Sequence, residues 1–132
     1  MILDPPGETE LRALVAACRN TLRSCTNQRV KVATAVLDRN GRTFTAVQVR
    51  SRNCSHCSVC AEAIAIGMAL TAGSCDLVAC VSVVRVGRTT RVWSPCGSCR
   101  ELLNDHKVGH VIVAEDHGQL VTVPGADLLP WP

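Results

Sequence analysis

The apolar positions Leu11, Leu14, Val15, Cys18 and Leu22 recur at helical spacing, and Thr9 is placed to cap them, so the pattern predicts a helix over 8–24. The period then changes. Residues 31–37 and 43–49 are rich in β-branched side chains, and Asp38-Arg39-Asn40-Gly41 between them is a turn sequence, which together predict a hairpin. A polar, cysteine-bearing stretch over 51–58 leads into 60–70, which favours helix and is apolar on almost every side. Such a helix is expected to be buried. Gly73 ends it, 76–86 reads as the central strand, and Pro95-Cys96-Gly97-Ser98-Cys99 opens another helix running to about 106. Strands are expected at 110–114 and 120–123, separated by Glu115-Asp116-His117-Gly118 and followed by a short turn. The order α-β-β-α-β-α-β-β predicts an α/β fold, a three-layer α/β/α sandwich with a five-stranded mixed sheet, built as one domain over 1–132.

Composition narrows the setting. The most apolar stretches, 63–70 and 77–84 (the latter broken only by Ser82), are too short to cross a bilayer. The first ten residues lack the basic and apolar regions of a secretory signal, so the expected compartment is the cytoplasm. In a reducing compartment nine cysteines point to metal binding or catalysis more than to disulfides. A hydrophobic fraction of 47% is high for 132 residues, and part of that apolar surface is expected in a subunit interface. The net charge of +3 comes from 14 Lys+Arg against 11 Asp+Glu without a long basic run, and the only aromatics are Phe44, Trp93 and Trp131. That is too little of either for a dedicated nucleic-acid binder.

The informative constellation is Cys60-Ala61-Glu62 at one helix start and Pro95-Cys96-Gly97-Ser98-Cys99 at another. Cysteines three apart in a first helical turn can meet one ion, and a third from another helix start leaves a tetrahedral position open, which is a catalytic zinc arrangement. Helix N-termini also favour thiolates. Cys60, Cys96 and Cys99 are therefore the expected ligands of one zinc ion per chain. Three thiolates leave a net negative charge on the site, and Arg100 is the candidate to hydrogen-bond the sulfurs and offset it. Glu62, two residues past Cys60, lies near the metal without being a ligand and so is the expected general acid/base. Cys-x-Glu followed by Pro-Cys-x-x-Cys matches the signature of zinc nucleobase deaminases, in which the glutamate takes a proton from the attacking water and returns protons to the ring nitrogen and the departing ammonia.

On these residues the sequence resembles the cytidine deaminase superfamily, in particular the small homotetrameric type with an all-cysteine zinc site, and is closest in appearance to blasticidin-S deaminases. The likeness runs from Val32-Ala33-Thr34-Ala35-Val36 through Gly41-Arg42-Thr43-Phe44-Thr45 and Cys60-Ala61-Glu62 to Ser94-Pro95-Cys96-Gly97-Ser98-Cys99-Arg100. It implies a zinc-dependent hydrolase acting on a small aminopyrimidine, backbone contacts from Ala61 and Ser94 to the amidine edge of the ring, and active sites shared within a homotetramer. The departures bear on the substrate. Where cytidine deaminases carry Asn-x-Glu for the ribose, this chain has Gln48-Val49-Arg50; the base-stacking Phe falls at about Val30, the Arg after Cys-Ala-Glu is Ala63, and the Gln after Cys-Arg is Glu101. A carboxylate that accepts has become a guanidinium that only donates. Gln48 and Arg50 thus stand as substrate-binding candidates, and Arg50 suits a carboxylate or phosphate. The substrate is read as a cytosine-like nucleoside or related aminopyrimidine, the alternatives being a blasticidin-S-type antibiotic or a catalytically silent zinc-stabilised ligand binder.

Plainer readings exist for each group. The three cysteines could pack as buried thiols, or Cys54 or Cys57 could close the site with a fourth ligand. Arg50 could be simply solvated. Cys18, Cys25, Cys75 and Cys80 are expected in the core or an interface, and His56, His106, His110 and His117 at the surface. Trp93 reads equally as a core anchor or a pocket wall.

Overall fold

A computed structural model describes residues 5–115 and 118–131. The expected surface position of His117, and part of the 115–118 turn, lie outside the described residues. Helix α1 spans Glu8–Ser24 and buries Leu14, Val15, Cys18 and Leu22, the stripe that its spacing predicts. Its N-cap is Gly7, not Thr9. The Pro5-Pro6 pair holds the chain extended up to Gly7, so Thr9 falls inside the first turn, where Glu8 and Glu10 face the positive end of the helix dipole.

Strands β1 (Val32–Asp38) and β2 (Thr43–Val47) form the expected hairpin. A 3-10 turn at Ser55–Cys57 leads to α2 (Ala61–Thr71), then β3 (Leu77–Val86), β4 (Thr89–Val92), α3 (Gly97–Asp105), β5 (His110–Ala114), β6 (Leu120–Pro124) and a final 3-10 turn, Gly125–Leu128. The main path of the mixed sheet is β2-β1-β3-β5-β6, five strands as expected, with β3 and β5 parallel. A sixth strand, β4, was not foreseen: Gly87, at φ +60, turns the chain so that 89–92 folds back on 83–86. One edge of β3 pairs with β1, and the other is divided between β5 at 79–81 and β4 at 83–86.

Two apolar layers enclose the sheet. Leu14, Cys18 and Leu22 of α1 pack on Ala33, Ala35, Val81 and Val83. Ala65, Ile66 and Ala69 of α2 pack with Leu103 of α3 on Val36, Cys80 and Val111. With side chains alternating across each central strand, β1 and β3 are buried on both faces, which accounts for their nearly unbroken apolar sequence. Helix α2 is not buried all round: Ala61, Glu62, Ala65, Ile66 and Ala69 are, but Met68 and Leu70 are 44% and 43% exposed. Gly125 is fixed by close packing, since a Cβ there would lie 2.0 Å from the Val108 carbonyl oxygen.

Candidate metal and active site

The N-termini of α2 and α3 converge on one point. Cys60 is the N-cap of α2 and Cys96 that of α3, both with extended backbone (φ −65, ψ 146 and φ −70, ψ 170), and Cys99 sits one turn into α3. The three Sγ atoms all lie within 4.8 Å of one another. Ligands at the Zn–S distance of ~2.3 Å in a tetrahedron stand ~3.8 Å apart, so small side-chain adjustments bring the trio onto one ion. Among the described residues this is the only group of three or more metal-type side chains that close together. Cys54 and Cys57 remain outside it, in the preceding loop, where the Cys57 N–H donates to the Cys54 carbonyl at 3.1 Å.

Glu62, 4% exposed, completes the site. Its Oε1 accepts from Ser82 Oγ at 2.7 Å and its Oε2 from Cys99 Sγ at 3.4 Å. The thiols do not ionise evenly. Burial pushes Cys99 up, and the Glu62 charge and the sharing of its proton with Cys96 and Cys60 add to it; burial chiefly raises Cys60 as well. At Cys96 burial is outweighed by the backbone N–H groups of Cys99 and Ser98 and by the neighbouring thiols, so its net shift is downward. A cavity of about 200 Å³ opens on the trio, with Val32, Gln48, Ala61 and Trp93 as its other walls and no basic residue among them. Three thiols and a carboxylate around a cavity without a cation are a donor set that a divalent ion such as zinc fits. A larger groove, about 500 Å³ between α1 and β5–β6, carries neither thiol nor carboxylate. The chemistry belongs to the smaller one.

The sequence candidates distribute unevenly. Cys60, Ala61, Glu62, Cys96, Cys99 and Gln48 share the cavity. Gln48 Oε1 accepts from the backbone N–H of Lys31 and Val32 at 2.8 and 2.9 Å, which leaves its Nε2 as the group available to a ligand. Trp93 is a pocket wall, 44% exposed, with the Arg91 guanidinium 5.5 Å from its ring centre, and Ser94 follows it, half-buried, on the adjoining hollow. Arg50 is exposed and does not line the cavity. Arg100 departs from expectation: Nε donates to the Pro95 carbonyl at 2.9 Å and Nη1 to that of Leu128 at 3.5 Å, rather than to sulfur. Helical side chains lean toward the N-terminus, which carries Arg100 back over Pro95.

Val30 is buried, and Ala63 and Glu101 are half-buried and exposed respectively. Cys18 and Cys80 are in the core, with burial driving Cys18 up to about 12, and Cys25 packs partly buried against it. Cys75, expected to pack, is exposed. His56 is exposed, while His106 and His110 are half-buried at element ends. Two residues at the floor of the site were missed altogether, Thr34 and Ser82, 0% and 4% exposed, joined Oγ1 to Oγ at 2.6 Å. The available signal was a serine interrupting the apolar run of 77–84.

An α/β/α sandwich that brings three cysteines and a buried glutamate to two helix N-termini defines a zinc-dependent hydrolytic deaminase. The profile of the cytidine and deoxycytidylate deaminase zinc-binding region matches residues 8–121, and the chain belongs to that family. It is 36% identical over 104 residues to a blasticidin-S deaminase of Bacillus cereus, covering 75% of this chain and 74% of that protein. Among solved structures it is similar to cytidine deaminases of Burkholderia pseudomallei (TM-score 0.73, 24% identity, 91% of this chain and 96% of the other) and Mycobacterium leprae (TM-score 0.67, 28% identity, 96% and 99%). The Burkholderia likeness speaks for the fold alone.

Proposed function

We propose that this chain, acting as one domain, removes the exocyclic amino group of a free cytosine-like nucleoside or related aminopyrimidine as ammonia, with Cys60, Cys96 and Cys99 holding zinc and Glu62 moving the protons. The observation that carries this is the carboxylate of Glu62, buried beside the sulfur trio with Oε2 turned toward it. Zinc bound there supplies a Lewis acid that lowers the pKa of a water at an open fourth position. Glu62 Oε2 takes a proton as the water oxygen bonds to the amino-bearing ring carbon, and passes it to the adjacent ring nitrogen. The second water proton leaves with the amino group, so that water and a C–NH2 become C=O and NH3.

On this reading the backbone at Ala61 and Ser94 meets the ring's amidine edge; Trp93 as a wall of the cavity and the Gln48 Nε2 donor support a bound ring and its substituent. A cavity of this size suits a free small molecule as the substrate. Blasticidin S is a second substrate reading, favoured by the Bacillus cereus relative and by Gln48-Val49-Arg50 in place of a ribose-accepting pair.

The apolar side chains of Met68 and Leu70, exposed on α2, support assembly with further copies, and we read the protein as a homotetramer with shared sites, acting in the cytoplasm. Among the described residues no helix is long and apolar enough to cross a membrane. The test is ammonia release from cytidine, deoxycytidine, cytosine and blasticidin S by zinc-checked protein, against a Glu62→Ala control, with light scattering for the oligomer. Silence across that panel in zinc-replete protein overturns the substrate reading.

A further inference from the structure

We propose that Ser82, backed by Thr34, is a positioning residue that fixes the carboxylate of Glu62 so that one named oxygen, Oε2, handles the proton. This rests on the reading of Glu62 as proton carrier. Strands β1 and β3 place Thr34 directly opposite Ser82, on the face that α2 covers. Both hydroxyls are buried, and their nearest polar company is each other and Glu62.

The direction of the bonds follows from counting hydrogens. A carboxylate has none to give, so Ser82 donates its only proton to Glu62 Oε1 at 2.7 Å, and Thr34 then donates to the Ser82 oxygen at 2.6 Å. A glutamate's terminal torsion is broad and has no strong preferred angle of its own. The Ser82 hydroxyl bound at Oε1 therefore sets the plane of the group, with Oε2 left on the side of Cys99, 3.4 Å from its sulfur. With Oε1 occupied, the oxygen beside the sulfur trio is the one left for chemistry. Two hydroxyls buried in an otherwise apolar sheet face have no comparable use in packing, since valine and alanine fill the same space without a polar group.

The experiment compares Ser82→Ala, Thr34→Val and Thr34→Ser with the unmodified zinc-loaded protein on cytidine and blasticidin S, recording kcat, KM, zinc content and thermal midpoint. The expected result for Ser82→Ala is a kcat roughly 10- to 100-fold lower, the scale of a misplacement near 1 Å, with KM within about two-fold and zinc still at one per chain. Thr34→Val, a near-isostere without the hydroxyl, shows a smaller loss of kcat that Thr34→Ser restores. Unchanged kcat in Ser82→Ala overturns the proposal, as does a loss matched by falling zinc content, or equal losses in Thr34→Val and Thr34→Ser. Glu62→Ala alongside separates the two levels: turnover surviving there refutes the proton-carrier reading instead.

Discussion

Among the described residues two carboxylates are buried, and they are treated in opposite ways. Asp38, 2% exposed at the β1–β2 turn, accepts from the backbone N–H groups of Asn40 and Arg42 at 3.0 and 2.8 Å, from Arg42 Nε at 2.7 Å and from Ser74 Oγ at 2.9 Å. Glu62, 4% exposed at the start of α2, has one hydroxyl and one thiol, and no basic residue shares its cavity. The other buried polar residues among those described divide between the two: Ser74 serves Asp38, and Ser82 with Thr34 serves Glu62. At the turn the chain supplies its own counter-charge and saturates the acceptor. Beside the sulfurs it leaves an acceptor partly unsatisfied and the charge to be balanced from outside. Saturation marks structure, and the unsaturated group marks chemistry.

The comparison breaks first on activity. Glu62→Gln is expected to cut turnover by about 10²–10⁴-fold, the span of general acid–base catalysis, while the circular dichroism spectrum and zinc content stay those of the unmodified protein. Asp38→Asn is expected to leave kcat for the folded fraction close to normal. If the Asp38 variant lost activity as steeply per folded molecule, the division between the two carboxylates would not hold.

Metal affinity should then follow pH with the sign set by the thiols. Burial holds Cys60 and Cys99 above the ordinary thiol range, so both are protonated near neutrality in the free protein, and an ion must displace those protons. Apparent zinc affinity accordingly falls as pH falls, by about 10- to 100-fold per pH unit for one to two protons displaced. Competition with a chelator of known affinity at about pH 6, 7 and 8 measures it, and a flat profile would show that the trio is already deprotonated.

Stability should follow pH at the other carboxylate. Burial of Asp38 opposes its ionisation, but the Arg42 N–H, guanidinium and charge with the Ser74 hydroxyl outweigh it, and the net shift is downward. The folded form thus holds its proton less tightly than the unfolded chain. The stabilisation is complete above the unfolded value of about pH 4 and is lost as pH falls through the depressed folded value. Asp38→Ala leaves two backbone donors and the Ser74 hydroxyl unpaired, a loss of about 2–3 kcal/mol at neutral pH in urea unfolding. That gap to the unmodified protein should narrow in acid; a gap constant with pH would mean that packing, not the charge, does the stabilising.

Much of this division was legible in the sequence, and the reason is local. Asp38-Arg39-Asn40-Gly41 announces a turn, and Cys60-Ala61-Glu62 with Pro95-Cys96-Gly97-Ser98-Cys99 announces a metal site, because each needs residues close together in the chain. The stripe of α1 fell where its period put it. What escaped depends on pairing across the sheet. Nothing in Val32–Asp38 or Leu77–Val86 alone says that Thr34 stands opposite Ser82, since a shift of one residue would turn each to the other face. Strand β4 escaped because a two-residue turn at Gly87-Arg88 weighs little against the longer strand before it. Arg100 was assigned to the sulfurs on proximity along the chain, whereas the lean of its side chain takes it to a carbonyl.

The smallest effect is expected where the sequence looks most suggestive. Cys54-x-x-Cys57-x-x-Cys60 reads as a run of ligands, yet the i to i+3 bond from the Cys57 N–H to the Cys54 carbonyl at 3.1 Å closes that segment into its own turn, and the two thiols face each other. A fourth sulfur at the metal would fill the position that water needs and would add a further negative charge beside Glu62, where the cavity has no cation to absorb it. The double variant Cys54→Ser/Cys57→Ser should therefore keep one zinc per chain, with kcat within about two-fold and unfolding within about 0.5 kcal/mol of the unmodified protein. Metal loss in that variant, with a cobalt-substituted spectrum that changes from four thiolate ligands to three, would make the site a closed structural one and remove the distinction between its carboxylate and that of Asp38.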